Sequence, residues 1–290
     1  MSVPLPNQPS PAQVAAMVNK MMPPMSPPSI MAAVQVPQTI HTLQGMINST
    51  VPKPDRFILQ AGSPFAGKTY AALSFPNPLV LDFDNKNIRE GVPTIPFYDD
   101  NFVESIVRRK NPANAVNRKA ALEIWLQQNI GKLKDYTVIL DALTNVEVAF
   151  HQQVFGVEEK WGMNGGLYFG EKLNYFQGIC ALLAASGARV IVNCHLVPVY
   201  TRDANTGLDV ATGKNKPAVT GSTAEKLPSF CTSVIYAYAK IDGIKGQISY
   251  WWVLRPCLAF DARTIATKIP PSGEIDITNK SAYEAFKACF

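Results

Sequence analysis

The sequence predicts an α/β domain with a mostly parallel central sheet, flanked by helices, and a C-terminal β-hairpin. Three observations predict it. The apolar run Phe57-Ile58-Leu59 leads into Gly62-Ser63-Pro64-Phe65-Ala66-Gly67-Lys68-Thr69, which fits G-x-x-x-x-G-K-[ST]. Further apolar runs at 78–83, 136–140 and 188–192 each pass into acidic or polar residues. Helical stretches separate them, as expected of parallel strands joined by crossovers.

Composition bounds the rest. The 290 residues are 47% hydrophobic, enough for one large α/β domain or two small ones. The net charge of +5 permits a polyanionic partner without demanding one. Five cysteines show no C-x-x-C spacing and read as free thiols in a reducing compartment. No apolar run is long enough to span a membrane, and the first residues lack the pattern of a secretion signal. A cytoplasmic protein is expected, in the host cytoplasm if the chain is viral.

Residues 1–52 differ from the remainder. They are rich in proline, hold seven of the eight methionines, and carry one charged side chain, Lys20. They read as a flexible arm, or as a docking arm whose methionines pack on a neighbouring subunit. Residues 53–265 read as the α/β domain and 266–290 as a C-terminal tail with a short helix.

In the loop 62–69, the glycines let successive amides face one concavity, which suits anionic oxygens. Lys68 brings a cation to the β- and γ-phosphates, and the Thr69 hydroxyl is a hard ligand for Mg²⁺. The cofactors implied are ATP and Mg²⁺, and Tyr70 closes the binding stretch. A helix over 69–75 ends at Pro76. The strand 78–84 ends in Asp82 and Asp84. Helices follow over 101–110 and 113–133, with Arg108, Arg109, Lys110, Arg118 and Lys119 forming a basic cluster. The strand 136–141 ends in Asp141, a carboxylate able to orient the metal. A helix covers 143–155, a glycine-rich loop 156–166, and a long helix 168–186. The strand 188–195 ends in Asn193, Cys194 and His195. The segment 196–220 has no apolar periodicity and reads as a long mobile loop with Tyr200, Arg202, Lys214 and Lys216, suited to single-stranded nucleic acid. Strands 231–241 and 247–254 form the hairpin, with Trp251 and Trp252 on opposite faces and one of them in the core.

These residues resemble the RecA-like core, specifically the phage AAA-domain ATPases counted among single-strand annealing proteins. The resemblance covers roughly 56–263. It rests on the ordered set of Gly67-Lys68-Thr69, the turn Asn77-Pro78-Leu79 into Asp82 and Asp84, the run Val138–Thr144, the run Val190–His195, and the segment 220–228. It implies that Asp84 positions the attacking water, that Asn193 or His195 reports the γ-phosphate, and that 156–166 and 198–220 are DNA-binding regions. The water-activating residue of the family is usually Glu; Asp84 is one methylene shorter. The implied partners are single-stranded DNA, further copies of the chain in an oligomer or filament, and a replication or recombination protein. Two other readings stay open: a P-loop kinase acting on a small molecule or nucleotide, and a non-catalytic nucleotide-binding assembly module.

Overall fold

The structure is a computed structural model and describes residues 55–85, 91–107, 115–155, 165–203, 206–219, 222–242 and 246–290. The arm 1–52, the loop 156–164 and Arg108, Arg109 and Lys110 lie outside the described residues.

The chain forms the expected α/β core, with a mostly parallel central sheet flanked by helices. Six parallel strands make up most of its sheet: β1 (Phe57–Gly62), β2 (Pro78–Asp82), β3 (Thr94–Pro96), β4 (Thr137–Asp141), β5 (Arg189–Cys194) and β8 (Ser233–Ile241). Antiparallel β9 (Ile248–Val253), β10 (Arg263–Thr264) and β11 (Glu274–Asp276) complete it, β8 and β9 forming the predicted hairpin. The order across the sheet is β11-β9-β8-β1-β5-β4-β2-β3, with β10 beside β8. Strands buried on both faces need apolar side chains on both. β1 and β4 are buried at every position, which explains runs such as Val138-Ile139-Leu140.

One face packs against α2 (Asp100–Val107), α3 (Ala115–Asn129), α4 (Leu143–Phe155) and α5 (Gly165–Ala185), through Val103, Leu122, Leu126, Val146, Phe176 and Ile179. The other face packs against α1 (Lys68–Ala72) and α7 (Ala282–Lys287). Residues 266–290 are therefore part of this body rather than a tail. β11 pairs with β9, and Phe286 is fully buried against Trp252 with ring centroids 5.8 Å apart. Ile275, Ile277, Ala282 and Phe286 supply an apolar surface that water disfavours and the sheet accepts. Ser281 caps α7 by accepting the Glu284 N–H. Trp252 is the core tryptophan; Trp251 is half-buried beneath Lys240, whose Nζ lies 4.1 Å from its ring centroid.

The expected long loop 196–220 is instead an antiparallel ribbon of β6 (Leu196–Arg202) and β7 (Asp209–Pro217). The β-branched Val197, Val199, Thr201, Val210 and Thr212 favour extended backbone. At the tip, Asp203 Oδ1 accepts the Thr206 N–H, Leu208 O accepts the Asp203 N–H, and Gly207 adopts φ 66°. Two members of the expected basic cluster have partners within the chain. Arg118 donates to Asp100 Oδ1 at 2.9 Å, and Lys119 lies 3.6 Å from Glu123 and over the Tyr175 ring.

α6 (Ser222–Lys226) and the 3₁₀ turn Leu227–Phe230 lead back into β8.

Candidate nucleotide site

The site stands at the C-terminal edge of the parallel strands, where β1 opens into residues 62–67. Two glycines are required by contacts. A Cβ on Gly62 would come within 2.5 Å of the Ala237 carbonyl oxygen, and Gly67 holds φ 74° with the Tyr250 ring 3.0 Å from where its Cβ would stand. Phe65 also takes a left-handed φ of 62°, unfavourable for a bulky residue, and is 94% exposed. The loop thus bends sharply while keeping its largest side chain out of the concavity.

Lys68 is buried and reaches back under the loop, its Nζ donating to Gly62 O at 2.8 Å and Ser63 O at 2.7 Å. Thr69 Oγ1 donates to Asp141 Oδ2 at 2.6 Å. That bond joins α1 to the end of β4. Asp84 lies two residues beyond the end of β2, rather than at the strand end; Asp82 holds that position and accepts the Asp84 N–H at 2.9 Å. Asp84 Oδ1 accepts from Asn145 Nδ2 at 2.6 Å. Pro64, Phe65, Ala66, Gly67, Lys68, Thr69, Tyr70, Asp84 and His195 line one cavity of about 440 Å³. Ser63 contributes its carbonyl to Lys68. Asn193 is fully buried in the sheet and does not line the cavity.

Two further residues belong to this arrangement and a third lies behind it in the sheet; all three were missed in the sequence. Thr144 and Asn145, in the first turn of α4, act on opposite sides. Asn145 holds Asp84, while Thr144 Oγ1 accepts the His195 N–H at 3.3 Å and lies 3.7 Å from Cys194 Sγ. The available signal was two polar side chains at a helix start directly after Asp141. The third is Gln60, fully buried on β1 beside Asn193; a glutamine inside a buried strand was the signal. Burial pushes the Cys194 thiol up to about 11 despite its contact with Thr144, so it is a neutral space-filler beside the site.

The donor set fits a nucleotide with a divalent ion. The glycine-lined loop, the interior Lys68 cation and the adjoining cavity suit phosphate oxygens. Among the described residues no three His, Cys, Asp or Glu side chains converge to hold a metal. A magnesium ion here would be held by Thr69, Asp141, water and phosphate oxygens, the mixed set that ion favours.

A family model described as AAA domain matches residues 55–268. Among solved structures, a KaiC-like protein from the hyperthermophilic archaeon Pyrococcus horikoshii OT3 aligns at 13% identity, over 76% of this chain and 88% of that one, with a TM-score of 0.35. At that score the likeness adds nothing to the strand order itself. Among curated proteins no match was found.

Proposed function

Because this chain belongs to the AAA domain family, we propose that it is a magnesium-dependent ATPase that binds single-stranded DNA and works in phage-type annealing, recombination or replication. The hydrolytic part is carried by one observation: Lys68, Thr69, Asp84 and His195 share a cavity, with Thr69 bonded to Asp141. ATP with Mg²⁺ would supply a phosphorus centre open to attack, its charge offset by the metal. Lys68 would stabilise phosphate oxygens from inside the loop, and Thr69 and Asp141 would hold the ion. Asp84, fixed by Asn145, would orient a water and take its proton.

The DNA part is supported by continuity between cavity and ribbon. β6 begins at the residue after His195, and His195 O accepts the Ala218 N–H at 2.8 Å. Both ends of the ribbon are thus anchored beside the cavity. Its exposed Tyr200, Arg202 and Lys214 offer a stacking ring and phosphate partners. A change at His195 has a short path to these side chains.

The test has two arms. Lys68→Ala should lower ATP turnover by about 100-fold or more, as loss of transition-state charge stabilisation does; retained turnover sinks the ATPase reading. Labelled oligo-dT, followed by fluorescence anisotropy over a salt series, should bind the full chain more tightly with a non-hydrolysable ATP analogue. Binding should weaken as salt rises, and Tyr200→Ala with Lys214→Ala should weaken it. No binding at low salt removes DNA as a partner. Phosphorylated acceptor in place of free phosphate would point to a kinase.

A further inference from the structure

Beneath α1 lies a row of polar side chains that the motifs do not explain. Asp82, Asp141, Asn193 and Gln60 each stand two residues beyond an apolar member of the sheet face that α1 covers: Val80, Ile139, Ile191 and Ile58. Alternation places all four on that face. Asp82 and Asp141 are register partners, as are Gln60 and Asn193. Asp141 and Asn193 follow directly on the paired Leu140 and Val192. The row therefore runs unbroken over four adjacent strands, about 4.8 Å apart. Thr69 meets it at Asp141.

At the Gln60 end, both amides are fully buried, and neither the oxygen nor the nitrogen of either has a hydrogen-bond partner among the described residues. Buried amides are normally bonded, and an apolar residue would suit the core better, as Ile235 does next along the row. A glutamine held in this position needs a use.

We propose that Gln60 is a positioning residue of the nucleotide site, acting through Asn193. The inference rests on the ATPase reading. When ATP binds, Gln60 Nε2–H comes to donate to Asn193 Oδ1, a bond not formed in this structure, and so turns Asn193 Nδ2–H out of the sheet toward the terminal phosphate. This makes the phosphate-loop strand itself part of the device that distinguishes ATP from ADP. It also explains why two amides, rather than one, face each other across β1 and β5.

The test is Gln60→Leu in the full chain, with Asn193→Ala and the double variant. Four quantities are read: kcat, KM for ATP, the affinity ratio of a non-hydrolysable ATP analogue to ADP, and Tm without nucleotide. Gln60→Leu should leave Tm equal or higher, raise KM for ATP several-fold and lower kcat about tenfold, the pattern of a contact made to bound ATP and strengthened in the transition state. The affinity ratio should fall in parallel. Asn193→Ala should do the same, and the double variant should lose no more than either alone. A raised Tm with unchanged kcat and ratio makes Gln60 a mere core residue and overturns the proposal, as do additive losses. Should Gln60→Leu fail to fold, Gln60→Met is put through the same readings. A wild-type chain that binds nucleotide without turnover defeats the ATPase reading, while the affinity ratio still judges Gln60.

Discussion

A carboxylate proposed to orient water must itself be held. Asp84 is held by Asn145 Nδ2 at 2.6 Å, and the same amide lies 3.4 Å from Phe83 O. Asn145 bonds to Asp84, which lines the cavity, and does not line it itself. Asn145→Ala should therefore lower kcat by about 10- to 100-fold, as loss of a supporting shell does, with nucleotide affinity nearly unchanged. Steady-state kinetics beside equilibrium nucleotide binding separates the two; an equal loss in both would make Asn145 a binding residue. The loop 62–69 was legible because its chemistry is contiguous. Asn145 and Gln60 were not, because each acquires meaning from a partner far along the chain: Asp84, 61 residues away, and Asn193 across a strand pair.

At the scale of elements, α7 shows how a six-residue helix can matter. Alone it would be unstable, since short helices rarely repay their nucleation. It persists because Phe286 is fully buried against Trp252 and Phe290, and because Tyr283 packs on Phe75 at 4.9 Å. Phe286→Ala should destabilise the domain by about 3–5 kcal/mol, read as a lower urea midpoint with an unchanged m-value. A loss under 1 kcal/mol, the scale of a volume-conserving swap, would mean that α7 is only loosely docked. The sequence shows this helix, but not its dock, which Trp252 and Phe75 build from two distant segments. The β6–β7 ribbon was illegible for a different reason. Most of its side chains are exposed on both faces, so no alternation of apolar and polar residues marks it as strand.

For the whole molecule, closure of the core can be followed by its thiols. Cys180 is pushed up to about 12 and Cys194 to about 11 by burial, and burial raises Cys231 well above the ordinary range. A raised thiol pKa keeps the proton on at every pH below it, so the nucleophilic thiolate is scarce as well as enclosed. Iodoacetamide at pH 8 should alkylate the exposed Cys257 rapidly and these three only as fast as the protein opens, with all four reacting alike in urea. Mass spectrometry resolves the sites; rapid native labelling of Cys194 would contradict its burial. The α/β class and the parallel core were legible at this scale, because buried strands announce themselves as runs such as Val190-Ile191-Val192. Strand order was not, since any of several apolar runs fits beside any other until register and crossovers are fixed.

That order bears on how the protein is made. β1, which leads into the nucleotide loop, is flanked by β5 and β8, so Ile58 lies beside Ile191 and Ser233. Both neighbours emerge from the ribosome long after it. At about 5–20 residues per second, β1 waits some seconds with its edges unpaired, and the second edge is paired only after residue 241 has cleared the exit tunnel. Such distant pairing makes folding slow. Truncated products ending before β8 would expose the Phe57–Leu59 edge and invite association with one another or capture by a chaperone.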